Sequence, residues 1–227
     1  MKFKNVKEKL YFLENLKENN NDTVLDKIKV IRCLSKDKNP EVRMFLAEQL
    51  VLFEREEIEE ILYDMLFDKC RRVRLEAVDS LTIGRMPKTM EKVAAMIKNE
   101  GCLIRAYGVL TLFDVVVNAY GMNSNAIEKY NDYIAESFKT EKNPRVLMEY
   151  YLNQYRLGDG NGLQMLEELY RNAVDTKDYS LIWPLLHTFR DIKNENNFNQ
   201  INAIIAYKLE DLLEVQREMA REILLQR

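Results

Sequence analysis

The chain has 227 residues, of which 47% are apolar and 31% are charged, with only seven glycines and four prolines. This composition is typical of a chain dominated by helices with short connections, and it argues against a β-rich fold. The formal net charge of −3 excludes a global basic field that would attract a phosphate backbone, so nucleic acid is a disfavoured partner.

The first predicted element, over residues 2–18, places five apolar side chains at helical spacing: Phe3, Val6, Leu10, Leu13 and Leu16. Three asparagines and an aspartate end this helix, so residues 1–22 are predicted to cap the amino-terminal end. Pro40 suits a first helical turn, where its missing N–H costs nothing. The periodicity then predicts three helix pairs: 23–36 with 40–53, 55–67 with 70–83, and 87–98 with 101–118.

The second half of the chain is less regular. An insertion of 11 residues precedes Val146 and is placed around 119–125 and in a longer helix that follows. The glycine-rich segment 158–162 is interpreted as a flexible turn. A further pair is predicted at 163–175 and 178–192, in which Pro184 is expected to kink the second helix or to move its start.

The last predicted element is one long helix over residues 196–227. No breaker interrupts this segment, and its apolar residues recur at helical spacing: Ile201, Ile205, Leu209, Leu212, Met219 and Ile223. Two interpretations stay open, because a terminal helix can seal the end of a helical array. The helix is either such a cap, or its overhang from about Glu214 docks a second copy or a partner.

Three arginines recur at a spacing of 31 residues, each after a branched apolar residue: Arg43, Arg74 and Arg105. The surrounding segments superpose without a gap: DKNPEVRMFLAEQL, DKCRRVRLEAVDSL and NEGCLIRAYGVLTL. Such self-similarity indicates a solenoid, in which each repeat contacts only its neighbours. We therefore predict one elongated domain over 1–227, with clear repeats at 23–158 and a degenerate repeat at 159–195.

The pattern formed by Asp37, Pro40, Val42 and Arg43 resembles HEAT repeats. The resemblance implies an all-α, armadillo-type fold: a right-handed α-α superhelix of about five helix pairs with capping helices at both ends. It also implies that the helices carrying the arginines line a concave surface. The resemblance covers roughly residues 23–158 and weakens in the third repeat.

The repeated arginines are interpreted as structural, because a guanidinium can bind carboxylates of its own or of the adjacent turn and so link repeats. Asn99 stands at the third equivalent of the aspartates and has no charge, so the linkage is expected to weaken there. This predicted ladder consists of Asp37, Arg43, Asp68, Arg74 and Arg105.

If the arginine-bearing helices line the concave surface, the side chains between their core positions point into it. Methionine, aromatic and arginine side chains among acidic neighbours are typical of protein-binding surfaces. The alternative is that the apolar members pack between neighbouring repeats. The predicted partner-binding residues are Met44, Phe45, Glu48, Arg72, Glu76, Asp79, Tyr107, Met148 and Glu149.

Little in the sequence indicates catalysis. His187 is the only histidine, so a Cys/His zinc site cannot be assembled, and no metal or cofactor is predicted. The leading hypothesis is a non-enzymatic scaffold that binds a protein partner on its concave face, with a bacterial immunity or regulatory protein as one form. The alternative is a HEAT-like alkylpurine DNA glycosylase or another nucleic-acid-acting protein, which would need a basic groove that the acidic balance disfavours.

Three cysteines are present, an odd number without a Cys-x-x-Cys pair: Cys33, Cys70 and Cys102. Free thiols in a reducing compartment are therefore expected. The amino terminus is too regularly charged for a secretory signal, and no apolar run is expected to reach the roughly 18 residues that span a bilayer. We predict a soluble, cytoplasmic protein without a membrane partner, either monomeric or a weak homodimer through the carboxy-terminal helix.

Overall fold

The computed structural model describes residues 3–226. These residues contain thirteen α-helices, four short 3-10 turns and no β-strand, which confirms the all-α class. The helices group into two compact units, an amino-terminal unit that ends at Glu141 and a carboxy-terminal unit that begins at Lys142. The assignment of both units to one domain stays a prediction.

The amino-terminal unit contains eight helices: α1 (Val6–Glu14), α2 (Ile28–Leu34), α3 (Pro40–Leu50), α4 (Glu56–Met65), α5 (Arg71–Ser80), α6 (Pro87–Ile97), α7 (Cys102–Tyr120) and α8 (Ser124–Thr140). The bounds of α3 to α7 agree with the predicted pairs to within three residues, whereas α2 begins at Ile28, five residues after its predicted start. Helix α5 contacts both α3 and α7, and α6 contacts both α4 and α8. Since the helices of each pair also contact each other, the unit consists of an odd-numbered row packed on an even-numbered row.

Side chains in the loops set the helix starts. Asn39 accepts the backbone N–H of Glu41 at 2.9 Å, and Pro40 follows as the first helical residue of α3. The start of α6 is capped from another helix, because Oε1 of the buried Glu59 on α4 accepts the N–H groups of Arg85 and Met86 at 3.0 and 2.7 Å. This contact ties two consecutive even-numbered helices together.

The residues that precede the repeated arginines form the centre of this unit's core. Val42, Val73 and Ile104 are fully buried, and burial of each such side chain contributes roughly 1.5–3 kcal/mol. Helices α6 and α7 approach closely at Gly108, where a Cβ atom would lie 2.7 Å from Cε of Met96. The constant 31-residue spacing of Val42, Val73 and Ile104 therefore corresponds to a packing position that recurs in each repeat.

Helix α7 is long and apolar enough to cross a bilayer by length and composition, with a mean hydropathy of 1.5. The expectation that no such run exists was wrong, because the two charged residues Arg105 and Asp114 do not lower the mean enough. Half of the 18-residue apolar segment of α7 is buried inside the protein, and core helices of soluble proteins can have the same length and hydropathy. The finding is weak evidence for a membrane.

The carboxy-terminal unit contains five helices: α9 (Pro144–Arg156), α10 (Gly160–Thr176), α11 (Tyr179–Ile192), α12 (Phe198–Ile205) and α13 (Glu214–Leu225). Helix α10 packs on α9 and α11, and α13 packs on α11 and α12. Pro184 lies inside α11 without moving its start, which Asp178 caps by accepting the N–H of Leu181 at 3.3 Å.

The glycine-rich segment is only in part a turn. Gly158 has a φ of 90°, a left-handed conformation that glycine adopts without strain, but α10 already begins at Gly160. Gly162 is buried, and a Cβ atom there would lie 2.5 Å from the backbone N of Tyr155 and 2.6 Å from the carbonyl O of Tyr151. This glycine therefore permits the close approach of α9 and α10.

The single helix predicted over 196–227 is divided in the structure. Lys208 has a φ of 45°, and a 3-10 turn at Leu209–Asp211 separates α12 from α13. Leu212 within this bend is 3% exposed. The apolar spacing continues through the bend because Leu209 and Leu212 keep the helical spacing and Leu212 is buried, so the pattern does not reveal the break.

The predicted overhang after Glu214 is likewise absent from the described part of this segment. Helix α13 lies against α11 and α12 and buries Met219, Ala220 and Ile223. Exposed leucine and valine side chains occur only near its two ends, at Leu213, Val215 and Leu225. Within its own unit, α13 therefore covers the neighbouring helices, as the capping interpretation expects.

Candidate functional site

Each repeated arginine lies between two loops of the amino-terminal unit. Arg43 on α3 donates from Nε and Nη2 to the two carboxylate oxygens of Asp68, at 2.6 and 2.8 Å. Its Nη1 donates to the backbone carbonyl of Asp37 at 2.5 Å. One guanidinium thus links the loop before α3 to the loop before α5 through three hydrogen bonds.

Arg74 on α5 repeats this arrangement with a glutamate. Its Nη1 donates to the carbonyl of Asp68 at 2.8 Å, and its Nε lies 2.6 Å from Oε1 of Glu100. The predicted loss of charge at Asn99 is therefore compensated by the next residue. The expectation that the ladder weakens in the third repeat was wrong. The acidic residue of this repeat is Glu100 instead of residue 99, and only one residue separates it from α7, where two separate Asp68 from α5.

Arg105 on α7 extends the same geometry. It donates to the carbonyl of Glu100 at 2.7 Å and to both carboxylate oxygens of Glu141 at 2.9 and 3.0 Å. At the other end, Lys9 of α1 binds Asp37 at 2.5 Å. The interactions form a continuous series of four ion pairs from α1 to the segment after α8.

The contacts of the ladder lower the pKa values of Asp37 and Asp68. Burial would raise the pKa of Asp68, but the hydrogen bonds from Arg43 and from the N–H of Cys70 outweigh it, and the pKa is lowered. The pKa of Asp37 is lowered in the same way, against the effect of burial, by Lys9 and by the N–H of Asn39. Both carboxylates are therefore held in the ionised form.

The sequence interpretation missed Glu59, Glu100 and Glu141. A signal for the last two was present, since an acidic residue stands two or three positions before every odd-numbered helix from α3 to α9. Glu141 also occupies the position of Asp37 when Lys-Asn-Pro at 142–144 is superposed on Lys-Asn-Pro at 38–40. No sequence pattern marks Glu59, because its role depends on the loop that packs against α4.

Seven of the nine predicted partner-binding residues lie on α3, α5 and α7, and none of the seven is fully buried. Three further residues of these helices are also partly exposed. We call this set the odd-helix face: Met44, Phe45, Glu48, Arg72, Leu75, Glu76, Asp79, Leu103, Tyr107 and Leu110. Since α5 contacts both α3 and α7, the face is one surface across three helices.

The 31-residue period places the side chains of the odd-helix face in rows. Phe45, Glu76 and Tyr107 hold equivalent positions on successive helices, one helical turn before the row that contains Glu48 and Asp79. The first row thus alternates an aromatic ring, a carboxylate and an aromatic ring. The second row adds two carboxylates.

The carboxylates of this face are in an unfavourable environment. Burial raises the pKa of Glu76, and the charges of Asp79 and Glu48 raise it further. Burial also raises the pKa of Asp79. Among residues 3–226 none of the three carboxylates forms an ion pair, in contrast to the carboxylates of the ladder.

Met148 and Glu149 do not belong to the odd-helix face. They lie on α9 in the carboxy-terminal unit and are 1% and 2% exposed, so the prediction that they contact a partner is wrong. Thr188 of α11 packs on Met148, with Oγ1 4.0 Å from the sulfur. The register inferred across the 11-residue insertion placed these two residues on a surface, whereas α10 and α11 cover α9.

The environment of Glu149 is that of a buried acid. Burial raises its pKa to about 7, against the opposing charges of Arg145 and Arg156. Oε1 of Glu149 lies 3.7 Å from Nε of Arg145, which is beyond hydrogen-bonding distance. The carboxyl group is therefore only weakly compensated.

The described residues contain no group of three His, Cys, Asp or Glu side chains that could hold a metal ion. The three cysteines are free, and His187 packs edge-on against Trp183 with ring centroids 5.2 Å apart.

No protein-family model matches the chain, and no curated protein sequence matches it either. The odd-helix face is thus the candidate site that the structure itself offers.

Proposed function

We propose that the protein is a non-enzymatic, cytoplasmic binding scaffold that takes a protein partner on the odd-helix face. The observation that carries the proposal is the composition of this face. Met44, Phe45 and Tyr107 are partly exposed beside carboxylates without a counter-ion, Glu48 and Glu76 among them. Aromatic and methionine side chains are enriched at protein interfaces, where a few well-packed residues contribute most of the binding energy.

We also propose that the helix pairs stack as a right-handed superhelix in the manner of HEAT repeats. The contacts of α5 with α3 and α7, and those of α6 with α4 and α8, support this arrangement. The ladder from Lys9 to Glu141 holds successive loops together. A surface whose backbone is fixed before binding loses less conformational entropy when a partner docks, which favours affinity.

No observation favours the nucleic-acid alternative. The odd-helix face carries three carboxylates, Glu48, Glu76 and Asp79, against a single arginine, Arg72. A phosphate backbone would meet like charge there, whereas binding to nucleic acid depends on lysine and arginine contacts to phosphates.

A photo-crosslinking amino acid placed at Tyr107 tests the proposal in living cells. Phe67, an exposed aromatic residue just after α4, is the matched control because it lies outside the odd-helix face. We expect a discrete covalent adduct with one protein from position 107 and none from position 67. Replacement of Met44 and Phe45 by alanine should remove that adduct. Equal labelling at both positions, or no adduct at position 107, would contradict the proposal.

A further inference from the structure

The centre of the odd-helix face is a carboxylate between two aromatic positions. Glu76 lies on α5, the middle helix, and Phe45 and Tyr107 hold the equivalent positions on α3 and α7. Neighbouring packed helices are about 8–10 Å apart, so long side chains on the outer two can reach toward the middle one. The register therefore places an aromatic residue on the neighbouring helix at each side of Glu76.

The charge around Glu76 is uncompensated. Glu48 and Asp79 lie close enough to act on its ionisation, and no lysine or arginine of residues 3–226 pairs with any of the three. Leu75, which adjoins Glu76 in sequence, and Met44 add apolar surface nearby. An organic cation is attracted both by a carboxylate and by the faces of aromatic rings.

We propose that the odd-helix face binds a basic segment of its protein partner, with a lysine or arginine side chain placed against Glu76 between Phe45 and Tyr107. This inference rests on the proposed function and specifies the chemistry of the partner. A metal cation does not fit, because the three acids are not arranged as a metal-binding group. A long basic side chain does fit, since its apolar stem can cover Leu75 while its head meets the carboxylate.

Selection of displayed random 12-residue peptides on the intact protein tests this inference. We expect the selected peptides to be enriched in lysine or arginine beside apolar residues. Their dissociation constants should rise about tenfold or more with Glu76→Gln, the loss of a charged hydrogen bond. Phe45→Ala and Tyr107→Ala should each weaken binding as well. Glu56→Gln on α4 is the control, because Glu56 is exposed and forms no ion pair in the described chain.

The outcomes separate the two proposals. Peptides that lack basic residues, or that bind Glu76→Gln as well as the native protein, overturn the basic-segment inference, as does a selection that yields acidic peptides or none. In each of these cases the adduct from position 107 still decides whether the face binds a protein. Circular dichroism melting curves of the variants establish that a weakened affinity does not come from unfolding.

Discussion

Arg43 is 4% exposed at its side chain, and its partner Asp68 is 11% exposed, whereas the pair of Arg32 with Glu60 is 49% and 41% exposed. The two pairs therefore differ in what their loss would cost. An exposed pair exchanges its contacts for water. Removal of Arg43 would instead leave a largely buried carboxylate without its counter-ion, and the carbonyl of Asp37 without a donor.

Arg43→Ala is expected to lower the free energy of unfolding by about 3 kcal/mol, the usual cost of breaking a buried ion pair from one side. Arg32→Ala, the control, should lower it by less than about 1 kcal/mol. Urea denaturation followed by circular dichroism measures both. Equal effects of the two variants would show that the ladder does not stabilise the amino-terminal unit. Arg74, 20% exposed, should give an intermediate value.

Helices α9 and α10 are joined by a close backbone contact rather than by side chains that could adjust. At Gly162 the nearest atoms to an added Cβ belong to the main chain of Tyr151 and Tyr155, all within 2.9 Å. At Gly160, two residues earlier in α10, nothing lies within 4 Å of that position. An alanine at Gly160 therefore changes only the helix propensity of α10, whereas an alanine at Gly162 also disturbs its packing on α9.

Gly162→Ala is expected to destabilise the carboxy-terminal unit by about 2–3 kcal/mol, because α9 and α10 must move apart to admit a methyl group. Gly160→Ala should be neutral or slightly stabilising. Trp183 is the only tryptophan and lies in this unit, so the midpoint of its fluorescence change reports unfolding there. If both variants unfold at the native midpoint, the close approach is not required.

Over the chain as a whole, two groups of acids give stability opposite dependences on pH. The lowered pKa values of Asp37 and Asp68 stabilise the protein above the unfolded value of 3.8, and this stabilisation is lost as the pH falls through their folded values. Glu149 acts in the other direction. Its pKa is about 7 in the folded protein and 4.5 as the reference, so unfolding releases a proton between these values and stability falls as pH rises.

Because of Glu149, the free energy of unfolding should therefore decrease by about 3 kcal/mol as the pH rises from 4.5 to 7, at about 1.4 kcal/mol per pH unit. Glu149→Gln is expected to abolish this decline, so the difference between variant and native protein should grow with pH and level off above pH 7. Urea midpoints from Trp183 fluorescence at pH 5, 6, 7 and 8 measure it. Glu218→Gln on the exposed part of α13 serves as the control. A difference that does not vary with pH would show that Glu149 is ionised at all four values.

Local periodicity was sufficient for the helices of the arginine repeats, because the buried stripe of an amphipathic helix is encoded by a few consecutive residues. The bounds of α3 to α7, the burial of Val42, Val73 and Ile104, and the repeated role of the arginines could all be read from the 31-residue spacing. The partial exposure of Phe45 and Tyr107 followed from the same register. These features depend on neighbours in sequence or on a strict repeat.

Features that depend on contacts between distant segments could not be read in this way. The group that caps the start of α6 is Glu59, 26 residues before Arg85, and the burial of Glu149 follows from its coverage by α10 and α11. The break at Lys208 is hidden because the leucines of the bend keep the helical spacing while α13 folds back on α11. Sequence spacing specifies which face of a helix is apolar, but the packing of other helices determines whether that face, or a charge beside it, meets water.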